Sequence, residues 1–410
     1  MPPSRDFRLF WGSDAAAQFG TAVSTFVLPA VAIEVLGASE FQVGLLNAAG
    51  MAAFLLIGLP AGVYVDRLRK RPLLAWSTTG RALVLATVPV AGWLGGLTFA
   101  HLVLAALLAG VLTVFFEVAS QAYLPTLVDR GGLTGANTRL VAVQQVARLT
   151  GRPVSGPLVQ FLGGANPVLA ICASYLVGAW LLRGVRAVER PVEPRARALR
   201  AEMAEGLRFV FGHPLLRPTA LCTISFNLMN AVWGAVNLLF LLRDLDLPPA
   251  AAGLLLGVGG VGGALTGLAV GRLAARLGPV RLLWVPAACT QPAWVLVPLT
   301  QPDWRLALFG LGTAVSAAGI VVYNVAQVSL RQALCPDHLL GRMNASIRFL
   351  AWGSIPLGAL AGGALAGWIG VRGTVWVASA GMAASVLWLV LSPLRRVRDV
   401  SEVTTVDRRG

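Results

Sequence analysis

The sequence predicts an all-α membrane protein with twelve transmembrane helices in two pseudo-symmetric six-helix bundles. Three observations carry this expectation. Hydrophobic residues make up 56% of the 410-residue chain, with a mean hydropathy of +0.73 and 46 glycines, more apolar material than a water-soluble core of this size could hide. Apolar segments of helix length recur, each able to cross a hydrocarbon core that takes roughly 20 residues in a helix. Basic residues gather at alternate turns between them.

The spans follow in order. The first, 10–35, is too long for a signal peptide and lacks a small-residue cleavage pattern, so it is expected to be a retained helix. The second, 42–65, ends in the run FLLIGLPAG and gives way to GVYVDRLRKR, Gly62 to Arg71. The third to sixth are expected at 73–94, 99–124, 137–161 and 165–183. From Arg183 to Arg217 the chain reads RGVRAVERPVEPRARALRAEMAEGLRFVFGHPLLR, whose charges and prolines break the apolar rhythm and mark a linker. Six more spans follow at 216–242, 250–271, 280–299, 304–330, 342–368 and 372–393. The expected division is 1–183, an N-terminal bundle; 184–215, a linker; 216–394, a C-terminal bundle; and 395–410, a tail.

An offset of ~205 sets Gly62, Arg67, Leu68 and Arg71 against Gly267, Arg272, Leu273 and Arg276, and one residue further Gln121 and Leu124 meet Gln327 and Leu330. Two bundles related by an axis along the membrane normal, with a cavity between them, is an architecture such repeats build.

The net charge of +15 is explained by orientation. With a cytoplasmic N-terminus, the outer loops carry only Arg243, Arg305 and Arg372, and Arg67, Arg69, Lys70 and Arg71 form the densest inner cluster. This distribution excludes nucleic acid as the reason for the charge. Cys172, Cys222 and Cys289 fall in apolar spans and Cys335 in a loop, with no CxxC pair, so core packing is expected and no metal site. The single lysine, Lys70, follows no glycine-rich loop, which excludes a Walker-type nucleotide site.

The loop Gly62, Asp66, Arg67, Lys70, Arg71 and the stretches LFWGSDAAAQFG, FQVGLL, LPAGVYVDRLRKRPLL, GRALVLA, VFFEVASQAYLPTLV and ANTRL together resemble the major facilitator superfamily. More narrowly, they are similar to its bacterial enterobactin-exporter and macrolide-efflux subgroup, also called transmembrane secretion effectors. The resemblance implies the major facilitator fold and a cytoplasmic gating loop. Gly62 allows close helix approach, and Asp66 can face a helix N-terminus, which in the superfamily is that of the eleventh helix, here beginning near Arg342. It also implies transport without an enzymatic step. The expected activity is secondary active, proton-coupled efflux of a drug-like or secreted small metabolite, by antiport and alternating access. Alternatives are small-solute uptake or facilitated diffusion, and a non-transporting sensor or assembly factor. Expected further are no cofactor beyond the proton gradient, no nucleotide partner, a small-molecule substrate, a monomer, and a bacterial cytoplasmic membrane with both termini cytoplasmic.

Proton coupling needs a group that titrates within the membrane, where ionisable side chains are costly. Only Asp14, Glu34 and Glu117 are acids within spans. Glu117, ~10 Å above the inner end of the fourth span, matches an acidic position of the subgroup. It is read either as a coupling group or as a structural partner of an arginine. Asp14 is the second coupling candidate, with the alternative that it reaches the interface; Glu34 is expected to be solvated. Arg148 and Arg152 stand one turn apart in the fifth span and should face a polar cavity or acids. Arg148 either pairs with Glu117 or joins Arg152 in binding an anionic or carbonyl-rich substrate. Gly151, Pro153, Gly156 and Pro157 resemble the glycine-proline element that antiporters carry in this helix, and permit close packing. Gln18, Asn227, Asn230, Asn324 and Gln327 complete the cavity candidates, the last four with polar helix-helix bonds as the alternative. Trp233 and Trp352 are read as packing or interface anchors before pocket lining.

Overall fold

In the computed structural model the described residues are 4–129, 132–187, 199–278, 280–335 and 337–396, and they are helical or in short connections. The side chains of Gly62, Asp66, Arg67, Arg348 and Trp352 lie outside the described residues, so the expectations placed on them are not addressed by contacts.

The helices are α1 (Arg5–Glu34), α2 (Glu40–Arg67), α3 (Lys70–Trp93), α4 (Phe99–Leu127), α5 (Leu133–Leu162), α6 (Val168–Arg183), α7 (Leu199–Gly212), α8 (Leu216–Leu239), α9 (Pro249–Leu277), α10 (Arg281–Thr290), α11 (Leu306–Leu334), α12 (Asp337–Ala384) and α13 (Leu387–Val390). Side-chain caps set several starts. Ser4 accepts from the Phe7 amide and Thr98 from the His101 amide, each at 3.2 Å, while Ser39 and Gln42 cap each other's backbone reciprocally. Among the described residues, nine stretches have the length and apolar composition to cross a membrane. The remaining expected spans are α5, whose arginines lower its hydropathy, the shorter α6, and a second span within α12. There the helix bends at Gly370, whose φ of +79° favours a residue without a Cβ.

Contacts divide the chain into two compact units: Met1–Ala196 with Leu247–Gly257, and Arg197–Asp246 with Val258–Gly410. In unit 1, α1 packs on α5 and α6, α2 on α4, and α3 on α4 and α6. In unit 2, α8 packs along α12 and α11 along α10. Two features depart from the sequence reading. The linker is not all loop: α7 forms within it, and Val210 packs with Leu216, Ala220, Cys335, Met343 and Ile347 in unit 2. The first turns of α9 belong with unit 1, through their contacts with α5.

The helix expected over 280–299 changes form at its middle. α10 gives way to a 3-10 stretch, Gln291–Leu299, because Pro292 has no N–H to continue the α ladder. Ser316 of α11 donates to the Thr290 carbonyl at 3.3 Å at that junction. Trp233 packs edge-on or tilted against Trp294, Phe309 and Phe240, which makes it part of an aromatic core.

Candidate functional site in unit 1

Four helices bring polar side chains to one place. Asp14 sits in the third turn of α1, only 2% exposed, so the alternative in which it reaches the interface does not hold. Its Oδ2 has no hydrogen-bond partner. Gln18, one turn on, donates Nε2 to Oε1 of Glu117 on α4 at 3.0 Å. Glu117 is half-buried and lies within electrostatic reach of Asp14.

Arg81 of α3 completes the group. It is 1% exposed, with its guanidinium carbon 4.5 Å from the Phe116 ring centroid and 4.3 Å from that of Tyr175 on α6. A planar cation between two aromatic faces gains from both ring quadrupoles. Its Nη2 lies 3.5 Å from Thr78 Oγ1, a long contact, and its Nε has no partner. Both Asp14 and Glu117 lie within its electrostatic reach. The Tyr175 hydroxyl is 3.1 Å from Thr21 Oγ1, which donates to the Ala17 carbonyl. The ring rests on Gly20, where a Cβ would come within 2.9 Å of Tyr175 Cε1. The sequence reading missed Arg81 and Tyr175. The available signal was an arginine deep in the third span, within the stretch GRALVLA.

The other candidates are placed differently. Glu117 pairs with Gln18, and among the described residues no ion pair joins it to Arg148. Arg148 and Arg152 are exposed on α5, with no hydrogen-bond or ion-pair partner among the described residues. Glu34 is exposed at the end of α1. A Cβ on Gly151 would lie 2.6 Å from Ala22 Cβ of α1, and one on Gly156 would strike the Pro249 carbonyl of α9. Pro153 packs where Gly257 leaves room, while Pro157 is partly buried. In the loop expected to gate, Arg71 donates to the Arg183 carbonyl at 2.8 Å and the Leu182 carbonyl at 3.4 Å, holding the end of α6, and Lys70 is buried. In unit 2, Asn227 is partly buried and Asn230 exposed on α8. Gln327 is buried on α11 and donates to the exposed Asn324 at 2.9 Å.

Residues 11–353 match the family model of the Major Facilitator Superfamily. The chain belongs to this superfamily. It is a multi-pass membrane transporter of the major facilitator fold. This superfamily transporter is 28% identical, over 87% of its own length and 88% of the relative's, to the multidrug efflux pump Tap of Mycolicibacterium fortuitum. It is 26% identical to the uncharacterized MFS-type transporter YvqJ of Bacillus subtilis, over 60% of this chain and 58% of that one. Among solved structures, the nucleoside transporter NupG aligns with a TM-score of 0.75 at 11% identity, over 95% of this chain and 99% of NupG. An inward-facing bacterial homologue of the iron transporter ferroportin aligns at 0.73 and 17%, over 94% and 98%. These two likenesses concern the fold.

Proposed function

We propose that this superfamily transporter exports a drug-like or secreted small metabolite across a bacterial cytoplasmic membrane in exchange for protons, with Asp14 and Glu117 as the proton-carrying pair. The observation that carries the reading is the composition of the polar group in unit 1. Two acids and one guanidinium sum to one negative charge, and burying a net charge is costly. One proton shared by the acids neutralises the group, and its loss leaves a negative site that a substrate's polar or cationic part can occupy. Competition for that site is the simplest form of antiport. Gln18 fixes the Glu117 carboxylate, and the Asp14 oxygen without a partner is the open acceptor. Export, as against uptake, is supported by the likeness to the efflux pump over most of both chains.

Proton release from detergent-purified protein tests the proposal, using hydrophobic cations, macrolides and siderophores as probes. A compound that triggers release from the wild type, with release abolished in Asp14→Asn or Glu117→Gln, supports antiport through this pair. Binding without proton movement in any of the three proteins would overturn coupling and point to facilitated diffusion. Absence of flux under every gradient would point to a sensor.

A further inference from the structure

Unit 2 carries a buried cation of its own, whose surroundings differ from those of Arg81. Arg331 lies in the last turn of α11 and is 8% exposed. Its Nη2 donates to Gln327 Oε1 at 2.6 Å, and the same oxygen accepts from Thr223 Oγ1 of α8 at 3.2 Å. Gln327 in turn donates through Nε2 to Asn324 Oδ1. Tyr323 donates to the Thr219 carbonyl at 2.9 Å and its hydroxyl is 2.9 Å from Thr223 Oγ1. Every side chain in this network except Arg331 is neutral.

Among the described residues no acid pairs with Arg331. The sequence holds no aspartate or glutamate across Leu216–Leu239, Pro249–Leu277, Arg281–Leu299 or Leu306–Leu334; α12 has only Asp337, whose side chain lies outside the described residues, and α7 carries Glu202 and Glu205. The ion pairs among the described residues of unit 2, Arg305 with Asp303 and Arg372 with Asp244, involve other groups. The C-terminal end of α11 supplies only a partial negative charge. That is less than the cost of burying an unpaired ion. The unused valences include two donors. Arg331 Nε has no partner, and the exposed Asn324, with its Oδ1 engaged, has its amide nitrogen left to donate. Donors without acceptors, around a planar fork suited to two oxygens, call for an oxyanion.

We propose that Arg331, Gln327 and Asn324 form a binding site for a carboxylate or phosphate group, held at the end of α11 and reached past Asn324. The group comes either from a soluble anion, such as an acidic substrate, or from the headgroup of an acidic phospholipid. The site lies wholly within unit 2 and does not depend on proton coupling in unit 1.

Thermal unfolding of the full chain tests it, in delipidated detergent with added sodium phosphate or sodium acetate at constant ionic strength. A ligand that binds only the folded state raises the midpoint saturably. The expected result is such a rise in the wild type and in Arg395→Gln, a weaker one in Arg331→Lys, and none in Arg331→Gln. The Arg331→Gln protein should also melt no lower than the wild type without anion, because the unbalanced charge is gone. Nanodiscs separate the sources. A soluble anion stabilises the wild type in pure phosphatidylcholine; a lipid occupant raises the midpoint only when phosphatidylglycerol is included, and phosphate then adds nothing. Equal responses of the wild type and Arg331→Gln in every arm would overturn the site. So would an Arg331→Gln protein that melts lower without anion while neither protein responds, since Arg331 would then only cap α11.

Discussion

Among the described residues Arg81 is the cation that touches the rings around Asp14 and Glu117, so its loss leaves a buried and a half-buried acid within electrostatic reach of each other. Removing one partner of a buried charge group costs about 3–5 kcal/mol, and Arg81→Gln should lower the unfolding midpoint accordingly. Adding Asp14→Asn should restore part of the loss, with a coupling energy on the order of 0.5–3 kcal/mol in a double-mutant cycle. Arg81→Lys should not rescue it, because an ammonium on a flexible stem does not fill the slot between two ring faces. Additive losses would show that the groups do not interact. Asp14 and Glu117 were legible in the sequence because an acid inside an apolar span stands out. Arg81 and Arg331 were not, for two reasons. Proton coupling points first to acids, and the expected span ends one residue before Arg331 although the helix continues to Leu334. Which side chains of α1, α3, α4 and α6 converge is a matter of helix rotation, which periodicity alone does not give.

At the scale of elements, α5 shows how backbone contact depends on missing side chains. Its Gly156 meets the Pro249 carbonyl and Ala250 of α9, and a Cβ on Gly253 would come within 2.7 Å of the Arg152 carbonyl. Gly156→Ala should therefore force the helices apart and destabilise by about 1–3 kcal/mol, the usual range for overpacking. The same change at Gly267, which has nothing within 4 Å, should instead stabilise α9 by roughly 0.5–1 kcal/mol through helix propensity. Denaturant titration of both variants checks the sign. Span positions were legible because each needs about 20 apolar residues, and the observed helices extend them by a few residues at capped ends. α7 was hidden by the charges and prolines before it, although Val210 and Phe209 give it an apolar side that packs on unit 2. The 3-10 stretch was foreshadowed by Pro292, but a proline alone does not say whether a helix kinks or changes form.

For the whole molecule, the proposed antiport makes one proton on the acid pair set how gradients are used. Exchange of one proton for a neutral compound moves one net charge, so a membrane potential of 100 mV contributes about 2.3 kcal/mol to the driving force. Exchange for a monovalent cation is electroneutral and should respond only to the pH gradient. Proteoliposomes with a potassium diffusion potential separate the two, and more than one proton released per substrate would refute a single shared proton. A last consequence concerns chemical labelling. Lys70, the first residue of α3 and the chain's single lysine, is buried. An amine-reactive acylating reagent therefore meets one side-chain target, closed off in this arrangement. Its rate of modification becomes a clock for openings at the start of α3, readable by intact mass without introducing any reporter residue.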